Sequence, residues 1–277
     1  MKYLISLLGL ALAVVWLAIV SLPDDYLHIV FCNVGQGDAT LISYKTTQLL
    51  IDGGPNDQVL GCLDRYLPFY DRRLEAVIMT HPQADHLTGL IEVFKRYQVL
   101  AFIRSDVANQ TAGYRRLMES ASSVPMKLVS TGDVVRVGDK INFQVIWPPA
   151  NWQGDDLNTY SVGGQIAFGQ VDFLFTGDAD SPVDLAQIAT GLLSQVEVLK
   201  VPHHGSKTAM IDEWIKQVSP QLAVIEVGKN NRFGHPRPEA LHQLEEVGAK
   251  ILRTDLNGEV EVITDGSKWW YNLEYGN

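Results

Sequence analysis

At 277 residues, 46% hydrophobic and 19% charged, the chain can bury a full core, which excludes a disordered or fibrous protein and fits one large domain or two small ones. Its formal net charge of −10 excludes a broad basic surface that grips nucleic acid by counterion release. A metal-centred cleft touching a few phosphates stays compatible with that charge, because clustered metal-binding carboxylates would account for part of it.

The first predicted element is apolar. Residues 4–22 carry no charge, which matches the ~20 residues that cross a bilayer's hydrocarbon core. The run exceeds the ~7–15 apolar residues of a secretory peptide, and Val20-Ser21-Leu22-Pro23 offers no small-x-small cleavage site. An uncleaved membrane anchor over residues 1–23 is therefore expected, with a cleaved signal peptide and a secreted body as the alternative. Lys2 before the run and Asp24 and Asp25 after it put the N-terminus inside and the body, residues 24–277, outside. In that body Cys32 and Cys62 either form a disulfide or stay as two buried thiols, and no Cys/His spacing suggests a structural zinc.

Residues 26–32 and 39–43 read as strands broken by Gly35-Gln36-Gly37-Asp38, and 48–51 as a third ending at Asp52-Gly53-Gly54. Residues 59–67 have helical spacing, 74–79 form a buried strand, and 87–97 form an amphipathic helix with apolar residues at 87, 90, 91 and 94. The second half repeats this order. A hairpin over 165–168 and 171–175 ends at Thr176-Gly177-Asp178, residues 182–193 look helical, and 196–203 aligns without gaps on 74–81. A third strand follows in each half, at 99–103 and 222–227, the second leading into Phe233-Gly234-His235-Pro236. Residues 151–160 read as a polar loop, with no linker between the halves; a helix at 238–247 and strands at 250–253 and 259–263 close the chain. Two similar β-rich halves with outer helices predict an α/β (α+β) protein whose two sheets pack face to face under helices on both sides. The His-bearing loops of the two halves would then face each other across one edge.

A hydrolytic metal site needs several nitrogen and oxygen ligands fixed around an ion, with an open position for a water whose pKa the metal lowers. The first loop supplies His81, Asp85 and His86, and the second half supplies Asp178 and the pair His203-His204. Five of the seven histidines, these four and His235, follow predicted strands; only His28 and His242 fall elsewhere. One loop histidine alone is most often ordinary structure, but independent scatter does not place five at matched positions in two similar halves.

These residues carry a resemblance. His81-x-Gln83-x-Asp85-His86 resembles the HxHxDH signature of metallo-β-lactamase-fold hydrolases, and Thr176-Gly177-Asp178 is similar to their bridging aspartate. More narrowly, four runs resemble the hydrolase domain of ComEC-type competence DNA-internalisation proteins: Asn33 to Ala39 (NVGQGDA), Ile51-Asp52-Gly53-Gly54, Lys200 to Ser206 (KVPHHGS) and Asn231 to Pro236 (NRFGHP). The likeness runs from residue 26 to about residue 263. It implies a four-layer αββα sandwich and phosphodiesterase or nuclease activity on DNA, with His81 on one ion, Asp85 and His86 on the other and Asp178 between them. His204 would be a further ligand and His203 a contact to the scissile phosphate, or the two exchanged; His235 would be a late ligand or a transition-state donor. Asp85, His203 and His235 are then the expected catalytic residues.

Departures from the family pattern refine that expectation. Gln83 stands where the branch commonly has Asp or His, and its neutral amide is a weaker ligand. Asn158, Thr159 and Ser161 occupy the stretch where lactamases carry a third His, and Asn33 replaces the branch's usual Asp. One firm ion is expected at Asp85, His86, Asp178 and His204, with a second held loosely beside His81 or only with substrate phosphate; zinc and manganese suit such a site, with magnesium also possible for the loose ion. Asp38 and Asp52 read either as carboxylates behind the ligands or as turn caps. Gly35 and Gly37 lack a phosphate-loop pattern and read as hairpin glycines. Ser206, Lys207, Arg232 and Arg237 are candidate phosphate contacts, against a helix cap for Ser206 and solvated surface for the arginines. Trp269-Trp270-Tyr271 would stack on bases or pin the last strand.

The leading functional expectation is a membrane-anchored hydrolase facing outward, acting on single-stranded DNA or a related phosphodiester. Any role in uptake needs a membrane channel partner, since one apolar segment forms no channel. A cell-wall or phosphorylcholine-type phosphodiester is the second expectation, and a non-catalytic binding module with a degenerate metal site the third.

Overall fold

The computed structural model describes residues 23–275 together with 6, 7, 9 and 12. The expected anchor over 1–23 lies almost wholly outside these, and among the described residues no helix is long and apolar enough to cross a membrane.

Strand alternation generates the layers. In Leu27–Phe31 the odd residues Leu27, Ile29 and Phe31 point to one side and Val30 to the other. In Val171–Phe175, Phe173 and Phe175 point inward while Leu174 points out. The inward sets of two sheets meet in a central core around Phe31, Ile78, Phe143, Phe173 and Phe175. Each outer face is closed by helices: Val59, Leu63, Leu87, Leu90 and Leu117 cover the first sheet, and Val183, Trp214, Ile215, Ala240 and Leu244 the second. The four layers are the expected αββα sandwich.

Among the described residues the first sheet has eight strands and the second seven. Each begins antiparallel and turns parallel. In the first, Leu27–Phe31, Thr40–Tyr44 and Thr47–Ile51 form a meander, and Ala76–Met79, Phe102–Arg104 and Met126–Leu128 then add in parallel. In the second, Val134–Val137, Ile141–Trp147, Gly163–Phe168 and Val171–Phe175 are antiparallel, followed in parallel by Val198–Lys200, Leu222–Ile225 and Lys250–Arg253. Parallel neighbours need crossovers, and the helices on the outer faces supply them. The chain then returns to the first sheet with Val260–Thr264 and Trp269–Leu273. Trp269 and Tyr271 pack on the central core and Trp270 meets Tyr26 edge-on at 5.2 Å, so the aromatic run pins the last strand.

Several elements differ from the sequence expectation. The single strand at 74–79 is interrupted at Glu75, whose carboxylate accepts from the Gln48 backbone N–H (2.6 Å) and from Arg73 Nε (2.5 Å). Arg73–Leu74 consequently leaves the sheet and pairs with Gln98–Val99. Residues 151–160 contain a 3-10 turn, Leu157–Tyr160, capped by Asp156. Cys32 and Cys62 are joined in a buried disulfide, Cα to Cα 5.9 Å, tying the end of the first strand to the helix Gln58–Tyr66.

Asp184, in the helix Ser181–Ala189, is buried with one oxygen accepting from the Ile211 N–H at 2.7 Å and the other without a partner among the described residues. Burial pushes its carboxyl up to about 7. The folded chain thus keeps this proton to higher pH than the unfolded chain, so stability falls as pH rises from about 4 to about 7. The shift corresponds to at most ~4 kcal/mol. Asp184→Asn should flatten the decline of the unfolding midpoint across that window; parallel curves for the two proteins would refute the assignment.

Candidate metal centre

The loops that carry the signature residues leave the carboxyl ends of parallel strands, where α/β sheets gather their ligands. After Ala76–Met79 the chain turns through His81 and Pro82 and enters the helix Ala84–Arg96, placing Asp85 and His86 in its first turn. That turn is pressed against the hairpin loop. A Cβ on Gly37 would lie 2.1 Å from the Asp85 carbonyl oxygen, and one on Gly89 would lie 1.9 Å from the Gly53 oxygen. Gly37 therefore does more than turn the hairpin: any side chain there would displace Asp85.

In the second half Val198–Lys200 runs into the 3-10 turn Pro202–Gly205, where His203 (φ 47°) and His204 (φ 52°) both adopt left-handed backbone. That conformation costs of order 1–3 kcal/mol per non-glycine residue and persists only where surroundings enforce it. Here the His203 N–H donates to Gly177 O (3.2 Å), Ser206 N–H to His203 O (2.9 Å), and His204 Nδ1 to Glu226 O (2.8 Å). The two consecutive rings are thereby sent different ways, His204 inward and His203 to the rim.

One ligand-type atom from each of Asp85, His86, Asp178 and His204 falls within 4.8 Å of the others. Asp178 Oδ2 is central, 3.2 Å from His86 Nε2 and 3.4 Å from His204 Nε2, while Asp85 Oδ2 is 3.6 Å from His204 Nε2. Each imidazole is fixed from behind, His86 Nδ1 by Asp52 Oδ2 at 2.8 Å and His204 Nδ1 by the Glu226 carbonyl with Asp38 Oδ1 at 3.1 Å. That fixes the tautomer and directs each Nε2 into the site. His86 Nε2, His204 Nε2 and Asp178 Oδ1 are buried without a hydrogen-bond partner among the described residues. Two nitrogens and two carboxylates so arranged fit a divalent cation such as zinc or manganese.

The electrostatics agree with that fit. Burial disfavours charge on His86, yet the carboxylates of Asp178, Asp52 and Asp38 outweigh it and hold the ring well above its ordinary value. For His204 burial is likewise overcome by Asp178 and Asp38, which push it up to about 10. Burial opposes ionisation of Asp178, but His204 and His86 keep it well below the usual carboxylate range. A site that attracts positive charge this strongly attracts a metal for the same reason.

Beneath the cluster lies a charged floor. Asp52, itself left-handed at φ 59°, accepts from Thr80 N–H (2.8 Å) and Thr80 Oγ1 (2.6 Å) as well as from His86. Asp38 pairs with the buried ammonium of Lys200, which also donates to Gly177 O (3.1 Å) and lies 3.8 Å from Asp178 Oδ1. Glu226 accepts from the Ala39 N–H and Thr40 Oγ1, both at 3.0 Å, and burial with the nearby Asp38 carboxylate pushes it up to about 8. Asp38, Asp52 and His86 also converge, but Lys200 already neutralises Asp38 there. Sequence reasoning gave Lys200 and Glu226 no role. The available signal is slight: Lys200 shares its predicted strand with Glu197, and Glu226 follows the apolar run Leu222–Ile225.

The other candidate residues lie around this centre. His81 is buried, its ring 4.2 Å from that of His86, yet it stands outside the four-residue cluster. Its Nδ1 faces Thr80 Oγ1 (3.1 Å) and Ser161 Oγ (3.2 Å), and its Nε2 has no partner among the described residues. Ser161 Oγ also accepts from the Asp178 N–H at 3.1 Å. Gln83 donates its amide to Asn158 Oδ1 at 2.5 Å, and Asn158 Nδ2 approaches His203 Nε2 at 3.4 Å, so Gln83 is engaged with the rim. His203 Nδ1 contacts Asp180 Oδ2 at 3.2 Å, and its ring meets that of His235 at 5.8 Å. Burial and the neighbouring His204 lower His235 to about 4, and its Nδ1 has no partner among the described residues. Ser206 is buried and caps no α-helix, since the next begins at Asp212. Lys207, Arg232 and Arg237 are exposed, Lys207 3.4 Å from Glu239 and Arg232 4.9 Å over the Phe233 ring.

Residues 32–228 match the Metallo-beta-lactamase superfamily. Over 249 residues the chain is 29% identical to "ComE operon protein 3" of Bacillus subtilis (strain 168), covering 83% of this chain and 32% of that protein. It is 26% identical over 248 residues to "Competence protein ComA" of Neisseria gonorrhoeae, covering 87% and 33%. The chain thus spans about a third of these relatives' length. Among solved structures, the metallo-beta-lactamase fold protein YhfI from Bacillus subtilis superposes with a TM-score of 0.54 at 14% identity, covering 83% of this chain and 97% of that one. That likeness is one of fold.

Proposed function

Because the chain belongs to the metallo-β-lactamase superfamily, a family of metal-dependent hydrolases, we propose that it is a phosphodiesterase acting on nucleic acid. The observation that carries this reading is the set of four donors, Asp85, His86, Asp178 and His204, with the two histidine Nε2 atoms buried and without a hydrogen-bond partner among the described residues. We assign the firm ion to these four and a loose second ion to the His81 side, where Gln83 is tied to Asn158. An ion held there supplies Lewis acidity toward a phosphoryl oxygen and lowers the pKa of water.

The chain's own groups do the rest. His203, steadied by Asp180 and next to Asn158, presents its ring at the rim where a phosphate oxygen would lie. Lys207, Arg232 and Arg237 form a short cationic flank that can hold neighbouring phosphates without a basic surface overall. A relative named for competence favours DNA as the polymer. The disulfide supports a position outside the cytoplasm, and the uncharged run at 4–22 supports a membrane tether. The acidic balance of the chain gives a cell-wall phosphodiester the second place. Turnover of bis-p-nitrophenyl phosphate but not of single-stranded DNA, with manganese or zinc, would select that second reading.

Gln83→Asp tests the ion count. A carboxylate at 83 adds a charged ligand on the weak side and frees Asn158, so the variant should retain a second ion and gain ~10-fold in turnover, the scale of ligand-support effects. Metal analysis after gel filtration reads the first and diester hydrolysis the second. Two tightly held ions in the unmodified chain would overturn the assignment.

A further inference from the structure

A cleft of about 240 Å³ opens between Leu128, Pro149, Trp152 and Tyr160. It is below the ~300–1,000 Å³ of a pocket for a whole small ligand, the size of a subsite. Its walls are the segments that follow Phe102–Arg104, Met126–Leu128 and Ile141–Trp147, the carboxyl ends of the strands that continue the first sheet from Ala76–Met79 and the second from Val171–Phe175. The cleft and the metal centre therefore share one rim of the sandwich, one or two strand spacings apart, ~5–10 Å. The cationic flank of Arg232 and Arg237 lies on the other side, after Leu222–Ile225.

The cleft is built and is joined to the centre. Trp152 packs edge-on against the buried Trp147 at 4.7 Å and donates Nε1–H to Thr159 Oγ1 at 3.2 Å. Tyr160 closes the loop, its hydroxyl accepting from the Gly154 N–H (2.9 Å) and lying 3.2 Å from the Gly154 carbonyl. The next residue, Ser161, bonds the Asp178 N–H and faces His81, and Asn158 of the same turn reaches Gln83 and His203. Asp106 is the one charged residue among the lining, so the cleft repels a phosphate while offering aromatic and proline surfaces and the amides of Asn151 and Gln153.

We infer that this cleft is a nucleobase subsite, receiving the base of a nucleotide whose phosphate lies at Asp85, His86, Asp178 and His204. The inference rests on the phosphodiesterase reading and names its substrate side. A planar ring stacks there on Trp152 or Tyr160 whatever its sequence, the mode by which single strands bind without base readout. Phosphates then run from the centre toward Arg232 and Arg237.

Two fluorescein-labelled probes decide it, tetrathymidylate and the same tetranucleotide with all four sites abasic. Binding is followed by anisotropy on the full chain loaded with manganese, with phosphorothioate linkages in both probes to suppress turnover. The unmodified chain should bind tetrathymidylate ~5–100-fold more tightly than the abasic probe, the worth of a stacked base. Trp152→Ala should erase that preference and Trp152→Phe should keep most of it. Ala150→Trp, which fills the cleft from an exposed lining position, should erase it without touching the packing of Trp147. Equal affinity for the two probes in the unmodified chain, no binding of either, or displacement of tetrathymidylate by a cell-wall saccharide but not by thymidine monophosphate would overturn the subsite. Kinetics separate the premise: if neither thymidine 5′-(p-nitrophenyl phosphate) nor methyl p-nitrophenyl phosphate is hydrolysed with manganese or zinc, the phosphodiesterase reading fails while the binding result still judges the cleft.

Discussion

Asp178→Asn is expected to lower phosphodiester hydrolysis by ~10²–10⁴-fold while leaving the protein folded. The Asp178 carboxylate faces both imidazoles of the cluster, at 3.2 and 3.4 Å, and no other carboxylate of the four does so. Asparagine keeps the shape, and the backbone bond from the residue-178 N–H to Ser161 Oγ is independent of the side chain. What is lost is the buried negative charge that draws a cation between His86 and His204. Ion-based stabilisation of a transition state is worth several kcal/mol, and each 1.36 kcal/mol is tenfold in rate. Steady-state turnover of bis-p-nitrophenyl phosphate, with metal content and thermal unfolding measured on the same samples, checks this. A variant within tenfold of the unmodified rate at full metal occupancy would remove Asp178 from the centre; one that fails to fold would point to the carboxylate as a structural counterion of Lys200.

The alignment of residues 196–203 on 74–81 made the sandwich and its edge readable, because a repeated strand-then-loop pattern in two halves can bury its apolar faces only by packing sheet on sheet. That pattern sets the two His-bearing loops against each other across one edge, and the family resemblance implies Asp85, His86, Asp178 and His204 as ligands there. The resemblance also sets His81 apart from these four, and what the sequence does not show is how its ring is held, by Thr80 and Ser161. The strand Met126–Leu128 was missed because all three residues are exposed and leave no apolar period to detect, and it forms a wall of the aromatic cleft. The break at Glu75 was missed for a related reason: a glutamate that caps a neighbouring strand looks, in sequence, like the polar member of an alternating one. Lys200 and Glu226 were invisible as a pair because they sit at the ends of two different strands, Val198–Lys200 and just beyond Leu222–Ile225, and only the parallel register sets them under the same cluster.

Lys200→Met is expected to destabilise the metal-free protein by ~3–5 kcal/mol, the usual consequence of leaving a buried charge without its partner. Lys200 is buried among carboxylates. Burial alone would lower its pKa, but Asp38, Asp178 and Glu226 reverse the effect and keep the ammonium charged. Without it, Asp38 would keep only the imidazoles of His204 (3.1 Å) and His86 (3.8 Å), and Glu226 would lose the cation that offsets its own burial. Methionine fills much of the same space, so the loss measures charge and not a cavity. Adding Asp38→Asn should therefore return part of it: the double variant is expected to be more stable than the sum of the two single losses by at least ~1–2 kcal/mol, as coupled neighbours are. Guanidinium denaturation in EDTA gives all four corners of the cycle. Additive losses would mean that Lys200 and Asp38 act separately, and the floor would then be a set of independent ion pairs instead of the support that holds His204 toward the ion.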